Sequence, residues 1–242
     1  MRVALISDLH GNAVSLDAVL GDIDRHGVDE VVCLGDVATL GPRPHEVIAR
    51  LKERGCRCIL GNHDAFMIDA DLIRSYTEVP IVVEAVDWCR GMLSPEELAF
   101  LCAFESRISM DLGPLTDALL FHGSPRSHME DLLATTDPVE LDLCLGDSTA
   151  TVMAGGHTHI QMLRQHRGML LVNPGSVGMP FKEFADGQAP QIMPYAEYAM
   201  IEETAGTVQV SLRRVVVDKA RLRDEARCSS NPICRALEQQ YA

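Results

Sequence analysis

The sequence has no run of about 18 apolar residues, the length a membrane-crossing helix requires, so no transmembrane span is expected. Nor does it offer a signal-peptide core near its start: Val3 to Ile6 is too short and is followed at once by Ser7 and Asp8, so a buried first strand is expected there instead. Positive charge is scarce. The 21 Lys and Arg stand against 35 Asp and Glu, a net charge of -14. That balance argues against a DNA or RNA polymer as partner and against anionic membrane surfaces, both of which need a positive footprint. No Cys-x-x-Cys occurs among the eight cysteines, and the one close pair is Cys56-x-Cys58. In a chain of this size without a secretory leader, these are expected to be reduced thiols in a cytoplasmic protein rather than disulfides or a zinc site. Repeats, low-complexity tracts and linkers are also missing. With 242 residues, 47% apolar and 23% charged, the expectation is a single domain spanning residues 1–242.

What is present is an alternation of strand and helix patterns. Val3 to Ile6, Val31 to Leu34 and Cys58 to Leu60 read as short buried strands. Between them, Asn12 to Arg25 carries apolar residues at helical spacing and is closed by Gly27, while Pro44 to Arg54 opens on Pro and stops at Gly55. Strand-helix-strand-helix-strand implies a parallel sheet with right-handed crossovers. Pro80 to Arg90 and Ser94 to Phe104 read as helices, and so does Asp137 to Leu145. Further strands are expected at Arg107 to Leu112, Ala118 to Phe121, Thr151 to Ala154, Met169 to Val172, Tyr198 to Ile201 and Val208 to Val217. The tail from Asp218 is helical, charged and broken near Pro232.

Five polar clusters each follow a predicted strand: Asp8-Leu9-His10-Gly11-Asn12, Gly35-Asp36, Gly61-Asn62-His63-Asp64, His122-Gly123 and Gly156-His157-Thr158-His159. Ligands of open α/β sheets bind beyond the carboxyl ends of strands, so these clusters are expected to converge on one edge. Side chains alternate along an extended segment, so Asp8-x-His10 and His157-x-His159 each present two ligands on one side. A mixed imidazole and oxygen set without Cys suits Mn, Fe, Zn or Ni. Any one cluster is a common pattern, but five of the nine histidines fall within the set. His26, His45, His128 and His166 lie outside and are expected to be structural, except that His128 follows the His122 loop.

The order of these clusters resembles the calcineurin-like metallophosphoesterase superfamily. Asn173-Pro174-Gly175-Ser176-Val177-Gly178, with Gly41-Pro42 after Asp36, is similar to its small bacterial and archaeal phosphodiesterase branch. The resemblance implies a four-layer α/β/β/α sandwich of two packed mixed sheets flanked by helices. It also implies two divalent metal ions: one held by Asp8, His10, Asp36 and His159, the other by Asp36, Asn62, His122 and His157, with Asp36 bridging. Protein phosphatases of the superfamily carry an Arg where this chain has Leu40, and relatives often carry Gln-Pro-Arg where it has Met179-Pro180-Phe181. Arg43, Arg126 and Lys182 are the candidates to supply a substrate-binding cation in its place.

The expected reaction is phosphoester hydrolysis by a metal-bridging hydroxide, with His63 protonating the leaving alkoxide and Asp64 orienting a neighbour. A small phosphodiester is the expected substrate. The alternatives are a phosphomonoesterase or protein phosphatase, a non-catalytic scaffold on the same fold, and a nuclease subunit. Retention of His63 and all seven ligand positions argues against the scaffold, and the charge of -14 against the nuclease. Assembly into a homo-oligomer is left open.

Overall fold

The computed structural model describes residues 1–185 and 189–242. The first sheet is built from β1 (Arg2–Ile6), β2 (Glu30–Cys33), β3 (Arg57–Cys58), β9 (Tyr195–Thr204) and β10 (Thr207–Val216). Their spatial order is β10-β9-β1-β2-β3. The second contains β4 (Ile108–Gly113), β5 (Thr116–Leu120), β6 (Val152–Ala154), β7 (Met162–His166) and β8 (Met169–Asn173), in the order β4-β5-β6-β8-β7. Each sheet is parallel at its centre: β1 with β2 and β2 with β3, and β5 with β6 and β6 with β8. Antiparallel strands complete the edges, β9 and β10 on one sheet and β4 and β7 on the other.

The apolar residues divide into three strata, and these make the four layers. Alternate residues of a strand face opposite sides of the sheet. Val3 and Leu5 of β1 therefore point inward to Ile108, Leu120, Val152 and Val172 of the second sheet. Ala4 and Ile6 point outward, against α1 (Ala13–His26) and α2 (Pro44–Arg54), where Leu16, Val19 and Ile48 are buried. On the far side, Met153 and Leu171 pack under Leu141 and Leu145 of α7 (Pro138–Leu145). Because β1 is buried on both faces, it reads as one apolar run rather than an alternation.

The helices start where capping chemistry allows. Asn12 accepts the Ser15 N–H to open α1, and Ser94 accepts from Glu97 to open α6 (Pro95–Cys102). Gly55, left-handed at φ 65°, closes α2. The structure adds elements that the sequence pattern did not show. Residues after Gly61 form α3 (Asn62–Ile68), followed by α4 (Leu72–Tyr76) and then α5 (Pro80–Met92). Both added helices are too short to display a helical period. β7 was also unexpected; its alternation is spoiled by Arg164 and Gln165. The tail forms α8 (Lys219–Cys228) and α9 (Cys234–Gln240), separated around Pro232 as expected. Among the described residues, no helix is long and apolar enough to cross a membrane.

One buried acid makes a pH test of this fold. Glu197 on β9 is 3% exposed, and Arg214, its register partner on β10, donates Nε–H to it at 3.1 Å. Burial outweighs that pairing and pushes the carboxyl up from 4.5 to about 7. The unfolded chain therefore binds fewer protons than the native one between these values, and stability attributable to Glu197 is lost as pH rises through that window. Glu197→Gln removes the ionisation. Its stability relative to the parent is expected to climb from pH 4.5 to 7, reaching a gain on the order of 1–3 kcal/mol at alkaline pH. Thermal melts across pH check this; a difference that does not change with pH counts against it.

Candidate metal centre

Asp8 and His10 follow β1, Asp36 follows β2, Asn62 opens α3 just after β3, His122 follows β5, and His157 and His159 follow β6. All seven expected ligands are thus at the carboxyl ends of strands, drawn from both sheets. The chain turns sharply to achieve this. Asp8, His10, Asp36, His157 and His159 all have φ between 44° and 68°, a left-handed conformation that costs a non-glycine residue on the order of 1–3 kcal/mol. Backbone bonds hold the turns in place: Asp8 N donates to Gly35 O at 3.0 Å and His10 N to Asp36 O at 2.9 Å. Gly61 is required by close approach, since a Cβ there would lie 2.1 Å from Asp36 Oδ1. Gly41 is similar, its Cβ position being 2.0 Å from the His10 carbonyl oxygen.

The side chains form two groups, Asp8 with His10 and His159, and Asp36 with His122 and His157, the ligand atoms within each lying inside 4.8 Å of one another. Asp36 faces both. Its Oδ2 is 3.4 Å from His122 Nε2 and 3.8 Å from His10 Nε2. Asn62 Oδ1 lies 3.0 Å from both His122 Nε2 and His157 Nδ1. Asp8 Oδ1 is 3.3 Å from His159 Nε2, is buried, and has no hydrogen-bond partner.

Outer contacts fix the imidazoles. His122 Nδ1–H donates to Leu34 O and His159 Nδ1–H to Met179 O, each at 2.7 Å, so the Nε2 lone pair of each neutral ring is aimed inward. His10 Nδ1 meets Thr39 Oγ1 at 3.1 Å, and its Nε2 is 3.1 Å from His159 Nε2. His157 Nε2 lies 3.5 Å from Asp131 Oδ1. Facing ring nitrogens, a buried carboxylate oxygen without a donor and converging lone pairs fit a divalent cation in each group. The electrostatics agree. Burial works against charge on His122, yet Asp36 and Asp8 overcome it and push the ring up to about 10, so these carboxylates favour positive charge at this point, which a divalent cation would supply in place of the ring proton. The same burial, with fewer compensating contacts, lowers His157 to about 4.

Asp64 belongs to neither Asp/His group. It accepts from the backbone N–H of Asp36, Val37 and Gly61 at 2.8, 2.9 and 3.0 Å, tying the start of α3 to the turn after β2. His63 is 8% exposed, sits edge-on to His10 with ring centroids 4.9 Å apart, and its Nδ1 has no partner. Its backbone N–H donates to Asp36 Oδ1 at 2.8 Å.

The centre opens into a cavity of about 330 Å³. His10, Asp36, Asn62 and His63 form its floor, and Leu40, Tyr76, Met179 and Phe181 line its sides. A larger depression, of about 600 Å³, lies beside Asp117, Thr151 and Met169, at the amino ends of β5, β6 and β8, away from these residues. The three expected cations are not brought together. Arg43 is paired with Glu225 and Glu46 beside α2. Arg126 donates to Glu130 at 2.8 Å. Lys182 follows Phe181 and lines an adjoining surface hollow with Glu183 and Phe184, which shares Ala185, Ala189 and Pro190 with the cavity but does not place Lys182 among the cavity's lining residues. His26, His45 and His166 lie against Arg213, Glu97 and Asp142, as expected of structural histidines.

The family description that matches residues 1–193 is the calcineurin-like phosphoesterase superfamily domain. A metallophosphoesterase from Sphaerobacter thermophilus shares 27% identity and superposes with a TM-score of 0.76, over 100% of this chain and 98% of that one. A hypothetical protein from Pyrococcus horikoshii, 19% identical, superposes at 0.81 over 98% and 96% of the two chains, a likeness of fold. An uncharacterized protein from Methanocaldococcus jannaschii is 27% identical over 193 residues, 74% of this chain and 76% of its own length. The chain belongs to the calcineurin-like phosphoesterase superfamily. Membership implies a phosphoric ester hydrolase, and the family together with the two Asp/His groups points to divalent metal binding.

The arrangement predicts about two divalent ions per chain after reconstitution, and loss of activity on chelation. Asp36→Asn is expected to weaken both sites, whereas Asn62→Ala weakens mainly one. Metal content of the purified variants checks this, and full occupancy with normal turnover in Asp36→Asn would remove that residue from a bridging role.

Proposed function

We propose that this protein is a binuclear-metal phosphodiesterase acting on small phosphodiesters, folded as one domain over residues 1–242 and working in the cytoplasm. The observation that carries the activity is the position of Asp36, whose Oδ2 lies between one histidine of each group. One ion would be held by Asp8, His10, Asp36 and His159, and the other by Asp36, Asn62, His122 and His157. The pairing of a hard carboxylate and amide set with imidazoles suits Mn, Fe, Zn or Ni. The eight cysteines, all free, support a reducing compartment.

Bound there, two divalent ions supply Lewis-acid polarisation of the phosphoryl group and water of lowered pKa. The chain's own residues do the rest. Asp64 holds the Asp36 turn rigid through three backbone N–H groups. His63 stands on the cavity floor with an unpartnered ring nitrogen, and is the residue to pass a proton to the leaving oxygen. The Phe66 ring packs against His63, their centroids 5.2 Å apart and the planes inclined at 64°.

Diester preference follows from the cavity. A monoester brings nearly two negative charges and a diester one. Among the described lining residues there is no Lys or Arg, and Leu40 stands where protein phosphatases place an arginine. The expected outcome is a higher kcat/KM for bis-aryl than for mono-aryl phosphates with the same leaving group and metal. A monoester preference of about tenfold, worth roughly 1.4 kcal/mol, rejects the diesterase assignment.

His63→Ala is expected to keep its metals and to lose on the order of 10²–10⁴-fold on alkyl esters, which need a proton on departure. Activated aryl esters should lose less. Equal losses on both kinds of ester argue against His63 as the proton donor.

A further inference from the structure

The cavity above the metal centre has a roof from an unexpected source. Ile233 just before α9, and Ala236 and Leu237 within it, close the cavity together with Ile192 and Pro190 of the segment before β9. α9 lies beyond residues 1–193, the stretch that the family description covers. The roof is fastened on two sides. Asn231, 3% exposed, donates Nδ2–H to Leu40 O at 3.0 Å, which ties the start of α9 to the loop after Asp36. Gln240 accepts from Ile192 N at 3.2 Å and donates to Pro190 O at 3.1 Å, which ties the end of α9 to the other wall. Lys182 N bonds Gln191 O at 2.9 Å and Met193 N bonds Pro180 O at 2.8 Å, so that wall is itself paired to the segment carrying Phe181.

What the roof encloses is apolar. Beyond the Asp, Asn and His residues of the floor, the polar side chains among the described lining residues are Tyr76 and Gln240, and the Gln240 amide is already engaged. A sugar, nucleoside or peptide brings several hydroxyl or amide groups that would lose water here without partners, which costs affinity. An alkyl or aryl group loses nothing polar and gains from every carbon withdrawn from water. At about 330 Å³ the space takes such a group of modest size.

We propose that this cavity binds the apolar organic substituent of the substrate, so that the enzyme's phosphodiesters carry a hydrophobic alkyl or aryl group, with α9 as the element that selects it. The proposal rests on the phosphodiesterase assignment for the ester itself, but its test is independent of turnover.

The probes are alkyl methylphosphonate monoanions, from methyl to octyl, which match a diester in charge and resist hydrolysis. They are titrated calorimetrically into the metal-loaded full chain. Kd is expected to fall about two- to fourfold per added methylene until the cavity is full, with a heat-capacity change that grows more negative along the series. Ala236 is exposed on α9, so Ala236→Trp fills the roof without entering the core. In that variant the gain per methylene should disappear. Tyr76→Leu, which makes the wall more apolar, should keep it. A Kd that is flat with chain length in the parent overturns the proposal, and so does a gain per methylene that survives Ala236→Trp. Failure of the phosphodiesterase assignment shows separately, as no turnover of bis-aryl phosphate by the same preparation.

Discussion

Two carboxylates, Asp8 and Asp36, are withdrawn from water at the line where two sheets meet, and the rest of the catalytic edge is arranged around that burial. An uncompensated buried carboxylate costs several kcal/mol. Here compensation is distributed. Backbone N–H groups of His157 and His63 reach Asp8 Oδ2 and Asp36 Oδ1, and imidazoles crowd the remaining oxygens. Asp64, a third buried acid, is engaged by three backbone donors, while burial and the neighbouring Asp36 push its carboxyl up to about 7. A net-acidic protein is thereby left with one concentrated demand for positive charge, located where the five polar turns converge. The left-handed turns at five of the seven proposed ligands are the local cost of that geometry.

The overall charge then acts as a filter on chemistry. With Arg43 and Arg126 held by Glu225, Glu46 and Glu130, the cations that sequence proximity offered are neutralised before they reach the cavity. Positive potential at the site must come from its floor. The proposed preference for a singly charged ester over a dianion rests on this, because no Lys or Arg among the described lining residues answers a second charge.

Much of this was legible in the sequence, for reasons that differ by element. The strands β1, β2 and β5 were visible because burial on both faces leaves uninterrupted apolar runs, and α1 and α2 because Asn12, Pro44, Gly27 and Gly55 mark their ends. α3 was hidden: its first residues are the polar Asn62, His63 and Asp64, and its apolar part, Ala65 to Met67, is a single turn. The histidines and acids were legible through their order and their place after strands. The groups that orient them were not, since Leu34 O and Met179 O are backbone atoms and Asp131 and Thr39 are ordinary residues until the fold brings them near a ring. Leu40, Met179 and Phe181 pointed to an apolar environment. Nothing in the charged pattern of the tail showed that Ile233 and Leu237 would complete it, because that requires Asn231 to find the carbonyl of Leu40 across most of the chain.

The docking of α9 separates two inheritances within one protein. The proposed metal ligands are fixed by strand ends in the first two-thirds of the sequence, and a change to any of them disturbs groups buried between two sheets. The roof is a short helix held by the side-chain amides of Asn231 and Gln240 and anchored in the outer core by Leu237, whereas the cavity-lining Ala236 is exposed and bears little load elsewhere. Substitutions there meet weak opposition from folding. A lineage can therefore alter what this scaffold admits while leaving untouched how it breaks a bond, and the tail is where related chains with the same metal ligands should diverge in appetite.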